Sequence, residues 1–166
     1  MEKWELPKNL KIKKYSRGMK VKLMFASALS RDTRILILDE ATNGLDPMVR
    51  REILELLQEY IEDGKRSVLF STHILEDLQN IADYIYFIDS GKKVLFDTKD
   101  ELLETYLLVK GGTEELTPVI EKNLTGIVKN GYGFEALYDT GKGDFLPTGF
   151  SVEKPTIDEI MVHMLQ

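Results

Sequence analysis

A chain of 166 residues, 43% of them hydrophobic, is close to one domain's worth and long enough to bury a core. No apolar run approaches the roughly 18 residues needed to cross a bilayer, and the absence of cysteine excludes disulfides, Cys-ligated zinc and a thiol nucleophile. A reducing compartment, the cytosol, is the default expectation. The net charge of −6 is unevenly spread: residues 1–22 hold eight basic residues against Glu2 and Glu5, a balance of +6, so the remainder carries −12. Such a basic stretch is either a solvated face or a surface for an anion or a membrane.

From Ser16 the pattern is helical, with Val21, Met24, Phe25 and Ala28 on one face. Ile35-Leu36-Ile37-Leu38 is apolar on both faces, as expected of a parallel strand covered by helices on both sides, and Asp39-Glu40 end it. Asp46 can cap a helix with Pro47 at its first position; Val49, Ile53, Leu56, Leu57 and Tyr60 recur at helical spacing until Gly64. Ser67 to Ser71 reads as a second buried strand, followed by a helix with Ile74, Leu78, Ile81 and Ala82 on its apolar face.

A third strand is expected at Tyr84 to Ile88, turning through Asp89-Ser90-Gly91-Lys92 into Lys93 to Phe96 as a hairpin on the sheet edge. Thr98 and Glu101 form a capping box. After about Lys110 glycines, among them Gly126, Gly133 and Gly143, separate short β-prone runs at 126–129 and 134–138. The chain closes with a helix capped by Thr156 and Glu159, with Ile157, Ile160, Met161 and Met164 on one face and His163 expected on its surface. The expectation is an α/β parallel sheet with flanking helices, followed by a small α+β carboxyl-terminal module.

Three short segments carry chemistry. In Tyr15-Ser16-Arg17-Gly18-Met19 a hydroxyl residue and a glycine open a helix whose free N–H groups attract an anion; alone, this is also an ordinary serine cap. A strand ending in Asp39-Glu40 places one carboxylate where Mg²⁺ can be held and another where water can be polarised; alone, it is a surface acidic pair. Ser71-Thr72-His73 brings an imidazole to the end of the neighbouring strand, where it can contact a γ-phosphate or the water, or do neither.

Together these segments resemble the ATP-binding-cassette (ABC) ATPase family over residues 1 to about 105. Tyr15 to Met19 is similar to its signature loop, Ile35 to Glu40 to Walker B, Thr42-Asn43-Gly44-Leu45-Asp46 to the D-loop and His73 to the switch histidine. The resemblance implies ATP and Mg²⁺ as cofactors, with Asp39 helping to hold the metal, Glu40 as general base and His73 at the γ-phosphate. It further implies that Ser16, Arg17, Gly18 and Met19 meet ATP held by a second subunit and that Asp46 bridges the two sites. Arg17 and Met19 depart from the common Leu-Ser-Gly-Gly-Gln form, whereas Ser16 and Gly18 keep it.

By the same resemblance residues 1–34 are part of a helical signature subdomain, 35–109 the carboxyl-terminal part of the catalytic core and 110–166 an accessory or dimerisation module. The Tyr-Ser-Arg-Gly-Met form and the tail from Pro155 to Val162 look most like ATPase subunits of bacterial exporters of the bacitracin-resistance and peptide-export type. The implied partners are membrane permease subunits and a second ATPase subunit, homo- or heterodimeric, at the cytoplasmic face of the plasma membrane, with no nucleic acid. The other readings are a translation or DNA-repair ATPase that moves no solute and a non-enzymatic docking fragment. Only 33 residues lie between Asp39 and His73, too few for the coiled coil of repair cassettes, and Gly44 stands where ribosomal types carry histidine.

The sequence holds no G-x-x-x-x-G-K-[ST] phosphate loop: Gly64-Lys65, Gly91-Lys92 and Gly141-Lys142 are followed by Arg66, Lys93 and Gly143. The expectation is therefore the carboxyl-terminal part of a longer cassette, inactive alone, with apolar surface such as Ile35, Ile37 and Val68 left exposed.

Overall fold

The computed structural model describes Trp4, residues 6–142 and residues 149–166; of the residues singled out above, Glu2, Glu5 and Gly143 lie outside these. The chain divides into two compact units, Met1–Ile74 and Leu75–Gln166. The boundary expected at 109/110 falls instead within a strand, and that at 34/35 within the first unit. The reason is that residues 75–109 share their core with the carboxyl-terminal segment.

In the first unit, α1 (Arg17–Leu29) is followed by β1 (Ile35–Asp39), α2 (Pro47–Ile61) and β2 (Ser67–Ser71). Helix α1 starts where Ser16 accepts the Met19 N–H, and α2 where Asp46 accepts the Val49 N–H with Pro47 behind it. Phe25 of α1 and Ile53, Leu54, Leu57 and Tyr60 of α2 are buried. The Tyr60 hydroxyl donates to the Thr33 carbonyl at 2.6 Å, tying the end of α2 to the approach to β1. Beyond it the chain turns at Gly64, whose φ of +66° suits glycine.

Strands β1 and β2 pair in parallel, Ile35 opposite Ser67 through Asp39 opposite Ser71. With α2 packed on β2, only one face of the pair is covered. Leu36 is buried and Leu38, Val68 and Phe70 are partly buried, whereas Ile35, Ile37 and Leu69 are 64%, 71% and 64% exposed. Coverage on both sides, expected from the four-residue apolar run, is not supplied within the described residues. The bare face is that of Ile35, Ile37 and Leu69 rather than Val68, because alternate residues of paired strands share a face.

The second unit begins with α3 (Leu75–Ile81), the hairpin of β3 (Tyr84–Asp89) and β4 (Lys92–Thr98), and α4 (Lys99–Thr105), capped by Thr98 accepting the Glu101 N–H. The hairpin forms as expected, but as a two-stranded sheet of its own rather than at the edge of the β1–β2 sheet. Strands β5 (Tyr106–Gly111), β6 (Leu124–Asn130), β7 (Gly133–Asp139) and β8 (Ser151–Glu153) then make an antiparallel sheet in the order β6-β7-β5-β8. A short helix, α5 (Pro118–Glu121), precedes β6, and α6 (Ile157–Met164) closes the chain behind the Thr156–Glu159 capping box.

The antiparallel sheet is buried on both faces. Leu108 and Leu137 join Ile85, Leu102, Ile157, Ile160 and Met161 in one core, while Val109, Phe134, Ala136 and Tyr138 join Leu124 in another. His163, expected at the surface, is 4% exposed. Its Nδ1 donates to the Gly126 carbonyl at 2.5 Å, so that nitrogen carries the proton. Gly126 sits at an irregularity of β6 with φ +63°, and a Cβ there would come within 1.8 Å of the His163 carbonyl oxygen. The glycine thus lets α6 seat directly on the β6 backbone, which brings the imidazole inside.

Two outcomes follow. Gly126→Ala should destabilise the second unit by about 2 kcal/mol or more, through backbone strain and a collision with another backbone, measured by denaturant unfolding followed through an aromatic probe in that unit. Ile37→Lys should change stability by no more than about 0.5 kcal/mol, as exposed substitutions do, while lowering self-association in sedimentation and the binding of a hydrophobic dye. An unaltered sedimentation profile with unaltered dye binding would show that the bare face is not the adhesive surface.

Candidate functional site

The parallel register brings Asp39 and Ser71 side by side at the carboxyl ends of β1 and β2, with Glu40 and His73 just beyond. The Ser71 hydroxyl donates to Asp39 Oδ1 at 2.5 Å. The Glu40 N–H donates to both the Ser71 carbonyl, at 3.2 Å, and the Ser71 Oγ, at 3.1 Å. Glu40 itself has φ +48°, a left-handed conformation that a glutamate adopts only when its surroundings hold it there. Past it the chain turns tightly, Asn43 N–H donating to the Glu40 carbonyl and Leu45 N–H to that of Thr42.

The Glu40 carboxylate lies against His73, Oε2 being 2.7 Å from Nδ1. The two are close enough for an ion pair when the imidazole is protonated but are not aligned as a hydrogen bond. Oε2 is shielded from solvent, and the imidazole is the polar group beside it. Asp39, Glu40 and His73 thus form one cluster, as the sequence expectation placed them. Ser71, which joins Asp39 to Glu40, ends the expected strand and opens the Ser71-Thr72-His73 segment in the sequence, and what gives it this role is the register that sets it opposite Asp39.

The remaining expected residues form a second group. Ser16 and Arg17 are exposed at the start of α1, where Ser16 Oγ accepts the Met19 N–H at 3.1 Å. A Cβ on Gly18 would lie 3.3 Å from Cγ2 of Val49, so the first turns of α1 and α2 touch there. Lys22 and Glu52 form an ion pair between the two helices. Gly44 has φ +64°, and its α-carbon lies under the Arg17 guanidinium, a Cβ there falling 2.6 Å from Nη1. Arg17, which departs from the usual glycine of the signature form, therefore rests on the turn that leads to Asp46. Asp46 is exposed, and its Oδ1 accepts the Val49 N–H at 3.1 Å. The turn at 40–45 carries the chain from the first group to the second.

Carboxylates and an imidazole thus meet at the carboxyl ends of adjacent parallel strands, the place where open α/β sheets bind ligands. Comparison with known proteins agrees. The family described as "AAA domain, putative AbiEii toxin, Type IV TA system" matches residues 2–76. The Lantibiotic transport ATP-binding protein SrtF of Streptococcus pyogenes is 38% identical over 98 residues, 57% of this chain and 42% of that protein. The Nod factor export ATP-binding protein I of Rhizobium leguminosarum bv. viciae is 34% identical over 121 residues, 69% of this chain and 39% of that protein. A solved "Structure of ATP binding subunit of ABC transporter" aligns with a TM-score of 0.49 at 29% identity, covering 56% of this chain and 38% of that one.

The chain is a relative of ABC transporter ATP-binding proteins. It spans about two fifths of the length of these two curated relatives. Among the described residues no helix is long and apolar enough to cross a membrane.

The cap at Asp46 separates its two possible contributions. Asp46→Ala should cost about 1 kcal/mol through loss of the α2 cap, whereas Asp46→Asn, an equally good cap, should be nearly neutral; thermal unfolding of the chain checks both. Equal losses in the two variants would mean that the charge, not the capping geometry, stabilises α2.

Proposed function

We propose that these residues form part of the ATP-hydrolysing subunit of a bacterial ABC exporter, which couples hydrolysis at a dimer interface to transport by separate membrane permease subunits. The observation that carries this reading is the cluster at the ends of β1 and β2. It combines a carboxylate joined to the neighbouring strand, a second carboxylate held just beyond it, and an imidazole 2.7 Å from that second carboxylate.

Glu40 is assigned the general base, taking the proton of the attacking water. His73 is assigned a contact with the γ-phosphate. Among the described residues no three His, Cys, Asp or Glu groups form a metal cage. A single oxygen donor from Asp39 nevertheless suits Mg²⁺, which takes one or two protein carboxylates and fills its other positions with water and phosphate oxygens. When bound, that ion neutralises phosphate charge. Asp39 would hold it, and the Ser71 hydroxyl fixes which carboxylate oxygen faces the strand. Ser16, Arg17, Gly18 and Met19 are assigned to ATP bound by a second subunit, and Asp46 to the link between the two sites.

Hydrolysis in this reading needs a phosphate loop, which the 166 residues do not contain. It works at the cytoplasmic face of the membrane, beside the permease. The segment of residues 110–166 is assigned to docking or to stabilising the dimer. The names of the relatives support this reading, one naming transport of a lantibiotic and the other export of a Nod factor, the latter giving export as the direction.

The test is Glu40→Gln in an ATPase-competent form that includes a phosphate loop. The amide is nearly isosteric but cannot take a proton, so ATP binding should persist while turnover falls by about 100-fold or more, the usual contribution of a general base. Turnover within about threefold of the unsubstituted protein would remove Glu40 from the role.

A further inference from the structure

The Ser71 side chain bonds both residues of the acidic pair, the carboxylate of Asp39 and the backbone N–H of Glu40. Its hydroxyl has a single proton, and a carboxylate can only accept, so the 2.5 Å contact fixes that proton on Asp39 Oδ1. The oxygen's lone pairs are then turned toward the Glu40 N–H, which approaches at 3.1 Å. The side chain therefore acts in one direction only, donating to the first acid and accepting from the backbone of the second. Glu40 is also the residue at φ +48°, where the backbone is held against its own preference.

From this we propose that Ser71 is a positioning residue for the hydrolytic reaction. Its hydroxyl sets the orientation of the Asp39 carboxylate and the left-handed backbone of Glu40 together, so that the base meets His73 while Asp39 presents its other oxygen outward. The inference rests on the assignment of Asp39 and Glu40 made above. The Glu40 N–H also bonds the Ser71 backbone carbonyl at 3.2 Å, a contact that does not involve the side chain, so the variants below separate the hydroxyl's part from that of the backbone.

The informative comparison is Ser71→Thr against Ser71→Val, which have nearly the same shape and differ in the hydroxyl. Ser71 is exposed, so the added methyl groups have room. In an ATPase-competent form carrying a phosphate loop, Ser71→Thr should keep kcat within about threefold. Ser71→Val should lower kcat by about tenfold or more, leave KM for ATP within about twofold and raise the Mg²⁺ concentration needed for half-maximal rate. Equal kcat in the two variants, or a loss in Ser71→Val carried by KM alone, overturns the proposal.

Glu40→Gln measured alongside distinguishes the two levels of argument. If it abolishes turnover while Ser71→Val does not, only the role of Ser71 fails; if it leaves turnover intact, the assignment beneath both fails. Ser71→Ala serves as the second variant should Ser71→Val not fold. Failure of both to fold, with Ser71→Thr folded, would give the hydroxyl to the fold rather than to the reaction and overturn the proposal.

Discussion

The site depends on the parallel pairing of β1 with β2. Hydrogen bonds between the two strands set Asp39 opposite Ser71, and every contact at the acidic end is a consequence of that register. A slip of one residue would place Thr72 or Phe70 opposite Asp39 and turn the donor to the other face. Parallel strands cannot be joined by a tight turn, so the connection must run through a crossover long enough for a helix. Here α2 fills that crossover and supplies Ile53, Leu54 and Leu57 as the core beneath the pair. The same helix begins at Asp46, so the element that enforces the register also fixes the start of the second group of residues.

Alternation along the strands puts Asp39 and Ser71 on the same face as Ile35, Ile37 and Leu69. The uncovered apolar surface therefore runs directly into the acidic end. A surface that covers this face must be apolar along most of its length and polar where it ends, which makes burial of the sheet and completion of the polar site a single requirement. The three aliphatic side chains are each more than half exposed, and parallel sheets are almost always covered on both faces.

Much of the first unit was legible in the sequence because local signals and tertiary packing agree there. Ser16 and Asp46 cap where the pattern says they should, Pro47 stands at the first helical position, and the apolar runs at 35–38 and 67–71 are the paired strands. The second unit was less legible for physical reasons. Leu107-Leu108-Val109 lies in a strand buried on both faces, so it lacks the alternation that marks a half-exposed strand, and no strand is expected there from the sequence. The three residues of β8 are too few to carry a periodic signal. His163 sits at a helical position that reads as polar, and only the close approach of Gly126, thirty-seven residues away, draws it inside. At the site the types of residue were legible but their bonds were not. Nothing in the order Asp39-Glu40 announces a left-handed glutamate, and nothing in Ser71-Thr72-His73 distinguishes the serine that bridges from the threonine that does not.

The backbone at Glu40 sets two selective pressures against each other. Glycine and asparagine occupy φ near +48° at least cost, while valine and isoleucine are penalised there most heavily. A library of all substitutions at position 40, ranked once by folding stability and once by chemistry, would give different leaders. Glycine and asparagine, which relax the turn most, cannot accept a proton, whereas glutamate, which can, is one the turn resists. The conformational cost of this single residue is an expense that the surrounding hydrogen bonds must continuously offset, and it gives position 40 a recognisable mutational signature: stabilised variants that have lost their chemistry.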